Sequence, residues 1–120
     1  MSELIDTNII IMYGKGLFAV LGNRDVAFSS TVIFEYLNYA KRQYDEFMKK
    51  GDIKRAQGFL ETAKKVIREI NNRKLPLLHP TADNFLESID LAIQRNVDIG
   101  DAVLASIAES NNIKKVISND

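Results

Sequence analysis

The stretch Leu4-Ile5-Asp6-Thr7-Asn8-Ile9-Ile10-Ile11 decides the fold class. Leu4-Ile5 reads as a short buried strand that stops at an acid, Asp6, and Thr7-Asn8 can cap the apolar helix Ile9 to Tyr13 that comes next. The same order recurs along the chain. Val26-Ala27-Phe28 reads as a second strand, and Ser29-Ser30-Thr31 supplies N-cap residues for a helix to about Lys50. Its apolar stripe is Ile33, Leu37, Ala40, Tyr44, Phe47 and Met48. Gly51-Asp52 interrupts, and a second amphipathic helix presents Ala56, Phe59, Leu60, Ala63, Ile67 and Ile70, so a helical hairpin is expected at about 30–73. Leu75 to Pro80 reads as a short strand bounded by prolines. Thr81 then caps a helix to about Arg95, packed through Phe85, Leu86, Ile89 and Ile93. A helix from about Gly100 to Ser110 and a strand from Lys115 to Ser118 close the pattern, while Gly14-Lys15-Gly16 and Gly22-Asn23 mark turns. Strands alternating with helices imply right-handed crossovers and an α/β fold: three layers, α/β/α, around a small central parallel sheet.

With 120 residues, 46% of them hydrophobic, the chain reads as one domain that can build its core without staples. It has no cysteine, which excludes disulfide and thiolate chemistry. Apolar runs such as Ile9 to Tyr13 fall far short of the roughly 20 residues that span a bilayer. Met1-Ser2-Glu3 carries no basic leader, so a cytoplasmic location without membrane attachment is expected. The 16 basic and 16 acidic residues cancel, yet Lys41 to Lys74 holds 11 Lys/Arg against 5 Asp/Glu. A basic helical segment beside an acidic body suits a polyanion on one part and cations on the other, although Lys-rich solvent faces would look the same.

In a parallel sheet the functional crevice lies beyond the carboxyl ends of the strands. Asp6 follows the first strand and Asp120 the last. Asp101 shares a helical face with Leu104, Ala105 and Ala108, which predicts a carboxylate on a buried face, whereas Asp98 fits an N-cap. Glu35 stands in the early turns of its helix, on the face opposite Ile33 and Leu37 that periodicity assigns to solvent. Carboxylates gathered in a crevice repel one another unless a cation neutralises them, and hard oxygen donors with a single histidine select Mg²⁺ or Mn²⁺. Such a site suits phosphodiester hydrolysis.

Leu4 to Ile11 resembles the opening motif of the PIN-domain ribonucleases, in which the acid after the first strand is a metal ligand. Ser29-Ser30-Thr31-Val32-Ile33-Phe34-Glu35 is similar to the family's second motif, Asp101 to Ala108 to the third, and Val116-Ile117-Ser118-Asn119-Asp120 to the fourth. The resemblance runs through the whole chain in order. The helical pair between the second and third motifs looks most like VapC-type toxins. It implies an Mg²⁺- or Mn²⁺-dependent endoribonuclease with Asp6, Glu35, Asp101 and Asp120 as catalytic and metal-binding residues. It also implies an RNA substrate, a homodimer and a cognate antitoxin. The family normally continues beyond the fourth motif, so residues 1–120 are expected to form a PIN-like domain that ends early.

Other chemistries fit less well. No glycine-rich nucleotide loop occurs, and Asn8 stands where a haloacid-dehalogenase-type phosphatase needs a second Asp. His79 alone makes no zinc site. Tyr36, Tyr39, Tyr44 and Phe47 suit core packing better than base stacking. The alternatives are a PIN-like binding or dimerisation module with an incomplete site and a DNA-directed nuclease of related fold.

Overall fold

The structure, a computed structural model, describes residues 2–118. Asp120 therefore lies outside the described residues. Within them, four strands, β1 (Glu3–Ile5), β2 (Val26–Ser29), β3 (Leu77–Leu78) and β4 (Lys115–Ile117), pair in the order β3-β2-β1-β4. Every pairing is parallel, with Leu4 opposite Ala27 and Val116. Helices cover this sheet in a three-layer α/β/α arrangement: α1 (Thr7–Tyr13), α2 (Leu17–Leu21), α3 (Ser30–Lys49), α4 (Ile53–Asn72), α5 (Ala82–Arg95) and α6 (Ile99–Ser110). Leu4, Ile5, Ala27 and Phe28 are fully buried, as strands covered on both faces must be. They join Ile10, Leu17, Val66 and Ile107 in one core.

Strand-to-helix junctions are set by local chemistry. Ser29, fully buried, ends β2 and caps α3 by accepting the Thr31 amide on its hydroxyl. Between α3 and α4 the chain reverses at Gly51, whose φ of 76° a side chain would strain. At the amino edge of the sheet Glu3 takes a two-pronged ion pair from Arg24, with oxygens 2.6 and 3.0 Å from the guanidinium, and a looser one from Lys115.

Local expectations need correction at α1 and α3. The cap of α1 is Asp6 itself, not Thr7 or Asn8. Leu17 to Leu21, where the sequence pattern marks no element, forms a short helix that buries Leu17, Phe18 and Leu21. The inward stripe of α3 is Val32, Tyr36 and Ala40, with Ile33 packed half-buried beside it; Ala40 and Ile33 are as expected, but Val32 and Tyr36 turn inward and Leu37 and Met48 are exposed. Helix α4 keeps its expected face, burying Ala56, Ala63 and Ile70 with Phe59 and Leu60 half-buried, except that Val66 is buried in place of Ile67.

The helix α5 inverts its expected packing. Phe85, Leu86, Ile89 and Ile93 face outward, Ile93 at 77% exposure, while Asn84, Ser88 and Leu91 are buried against α6. The cause is a polar seam: the Asn84 amide donates to the hydroxyls of Ser106 and Ser110 at 2.9 and 3.2 Å. The Asn84 carbonyl oxygen accepts the Thr81 amide and so completes a capping box.

Removing that seam takes the donor away from the buried Ser106 hydroxyl, so Asn84→Ala should lower the unfolding free energy by about 1–3 kcal/mol. Ile10→Ala, which empties a fully buried position, should cost about 2–5 kcal/mol. Urea unfolding at neutral pH measures both, and an Asn84→Ala protein as stable as wild type would rule out a structural seam.

Candidate functional site

The carboxyl ends of the parallel strands open into a cavity of about 570 Å³, whose lining includes Asp6, Glu35, Asp98 and Asp101. These come from three separate parts of the chain: the end of β1, the second turn of α3, and the start of α6. Asp6 is half-buried and held by its own cap geometry, with Oδ1 accepting the Thr7 amide at 2.7 Å. Thr7 is buried, and its hydroxyl donates to Glu35 Oε2 at 3.4 Å, tying α1 to α3.

Asp98 caps α6 by accepting the Asp101 amide on Oδ1 at 2.8 Å. Gly100 brings this helix end close to α3: a Cβ there would sit 3.4 Å from both Glu35 Oε1 and Asp98 Oδ1, an ordinary contact distance. Asp101 is exposed at the cavity mouth rather than on a buried face, although Leu104 and Ala108 on its wheel face are buried. Burial begins immediately after it, at Ala102, Val103 and Leu104.

Glu35 shows how these charges act on one another. Burial raises its carboxyl above the ordinary value of 4.5. The Thr7 hydroxyl opposes the rise, and the negative charges of Asp6, Asp98 and Asp101 add to it. A wheel phased on Ile33 and Leu37 sends Glu35 to solvent. With Val32 and Tyr36 inward, Glu35, Asn38, Tyr39 and Arg42 instead form the i, i+3, i+4, i+7 row along the cavity. Sequence reasoning misses Asn38 and Arg42 together with that phase. Asp98, read only as a cap, faces the same cavity.

The donors are all hard oxygens, from Asp6, Thr7, Glu35, Asn38, Asp98 and Asp101, and among the described residues no sulfur or imidazole joins them. That set fits Mg²⁺ or Mn²⁺. Among the described residues no three acids close tightly enough to form a ready-made cage.

The PIN domain family model matches residues 4–120. No curated protein matches the chain. Among solved structures, a toxin-antitoxin complex from Klebsiella pneumoniae superposes with a TM-score of 0.55 at 18% identity, covering 98% of this chain and 87% of that one. VapBC2 from Rickettsia felis, bound to a DNA fragment from its promoter, gives 0.53 at 21% identity, covering 99% and 88%.

A carboxyl held above its unfolded value adds stability only while protonated, fully below pH 4.5, and loses it as pH rises through the folded value. In chelator, Glu35→Gln should therefore melt higher than wild type near neutral pH, with the gap closing as pH falls toward about 4. Thermal melts across that range check the sign, and a variant less stable at neutral pH would mean the repulsion is absent. From the family match along its length, with the same fold in both solved structures, the chain belongs to the PIN domain family.

Proposed function

We propose that the protein is a Mg²⁺- or Mn²⁺-dependent endoribonuclease of the VapC type, the toxin of a toxin-antitoxin pair, working in the cytoplasm. The observation that carries this reading is the convergence of Asp6, Glu35, Asp98 and Asp101 on one cavity at the carboxyl edge of the sheet. Family membership supports nuclease chemistry, and the two solved relatives, one named a toxin-antitoxin complex, support an antitoxin partner.

Asp6 and Asp101 would hold the divalent ion, with Glu35 beside them and Asp120 as the expected fourth acid. When bound, the ion supplies Lewis-acid stabilisation of the phosphate and a water of lowered pKa. The chain's own residues orient the reactants. Thr7 fixes the Glu35 carboxylate through its hydroxyl. Arg42 faces the same cavity with no ion pair among the described residues, which leaves its guanidinium available for a phosphate oxygen. The basic hairpin of α3 and α4 draws RNA in through sequence-independent phosphate contacts.

The outward stripe of α5 supports a homodimer. Phe85, Leu86, Ile89 and Ile93 are close to half exposed or more, and Phe34 and Ile99 lie exposed nearby around a cavity that Phe85 shares with them. Exposed apolar residues gathered on one helix face are what a second copy packing the same face would cover.

Incubated with Mn²⁺, wild type should cleave single-stranded RNA, and Asp6→Asn and Asp101→Asn should each lose roughly a hundredfold or more in rate. Calorimetry should record Mn²⁺ binding that both variants weaken. Equal cleavage by all three proteins would expose a contaminant, and absence of both cleavage and Mn²⁺ binding would favour a binding module. In sedimentation, Ile89→Lys should shift the protein from dimer to monomer, and an unchanged dimer would move the interface elsewhere.

A further inference from the structure

A second cavity of about 410 Å³ adjoins the acidic one, and Ile11 and Tyr39 line both. Its chemistry is the reverse of its neighbour's. Lys15 and Arg55 line it, and among the described residues no carboxylate does. Among the same residues neither cation has an ion-pair partner, and the Arg55 guanidinium lies 5.1 Å over the Phe47 ring. Aromatic surface completes the groove. Tyr13 stands 40% exposed at the end of α1. Tyr39 is fixed between Tyr36, stacked at 6.5 Å, and Phe59, edge-on at 6.2 Å.

An acidic cavity alone repels a polyanion, so a strand whose scissile phosphate enters it needs attractive contacts on the neighbouring nucleotide. We propose that this groove is the subsite for the nucleotide next to the scissile phosphate of a single-stranded RNA, its base stacked on the exposed Tyr13, its phosphate held by Lys15 and Arg55. The proposal rests on the nuclease reading above and extends it to the path of the substrate. The volume falls in the range of small-ligand sites, and the pairing of flat aromatic faces with cations is how proteins hold single strands. The turn Gly14-Lys15-Gly16 packs against α4 and places Lys15 on the lining of the same groove as Arg55.

Fluorescence anisotropy of a labelled single-stranded RNA, in EDTA so that nothing is cut, tests the groove directly. Lys15→Gln combined with Arg55→Gln should weaken binding about tenfold at low salt and reduce the log–log salt slope by about 1.4, the value for two phosphate contacts on a single strand. Tyr13→Ala should weaken binding about tenfold with the slope unchanged, since stacking releases no counterions. Lys114→Gln, at the amino edge of the sheet just before β4, removes a charge far from the groove and should leave the affinity unaltered. Wild-type affinity and slope in the double variant would overturn the subsite and leave the groove to a protein occupant. An inert wild type in Mn²⁺ would instead defeat the nuclease reading, and the anisotropy would still decide whether RNA lies here.

Discussion

Parallel pairing of β1 with both β2 and β4 is the constraint on which the rest depends. Because all three strands run the same way, each delivers the next segment of chain to the same edge: Asp6 after β1, the start of α3 after β2, and Ser118 after β4. Residues far apart in sequence are brought together there by the sheet. An antiparallel neighbour would send one of these termini to the opposite edge, and no choice of side chains could restore the cavity. The fully buried Leu4, Ile5, Ala27 and Phe28 hold that geometry, since a one-residue slip would turn buried side chains toward the other face.

The two edges of the sheet treat charge in opposite ways. At the amino edge Glu3 is neutralised by Arg24 and approached by Lys115, so charge there closes the structure. At the carboxyl edge Asp6, Glu35, Asp98 and Asp101 face one cavity, and the cation lining it, Arg42, makes no ion pair among the described residues. Burial first, and the neighbouring carboxylates second, raise the Glu35 carboxyl there.

How much of this is legible in the sequence depends on where the signal lies. The strand–acid–helix order at Leu4 to Ile11 and the caps at Ser29, Thr81 and Asp98 are local, and the structure places all of them as read, except that Asp6 takes the cap of α1. Periodicity does not settle phase. In α3 both Ile33-Leu37 and Val32-Tyr36-Ala40 are plausible apolar stripes, and only packing on the sheet selects the second. That difference in phase hides Asn38 and Arg42, and Glu35, exposed as its wheel has it, lines the cavity all the same. In α5 the error is larger, because apolar content is equated with burial while the contact with α6 runs through Asn84 and Ser88.

The misreadings of α3 and α5 have one physical origin. A helix turns its most hydrophobic face inward only when burial is the sole demand on it, and both helices carry a second demand. On α3 the cavity claims the row Glu35, Tyr39 and Arg42, so the inward face is narrowed to Val32, Tyr36 and Ala40 and Leu37 is left outside. On α5 a satisfied polar seam anchors the helix with less apolar burial and frees Phe85, Leu86, Ile89 and Ile93 for the surface. Departures from simple amphipathicity therefore mark where a helix serves something besides the core. In this chain they fall on the helix that lines the acid cavity and on the helix whose apolar face has no cover within the described residues.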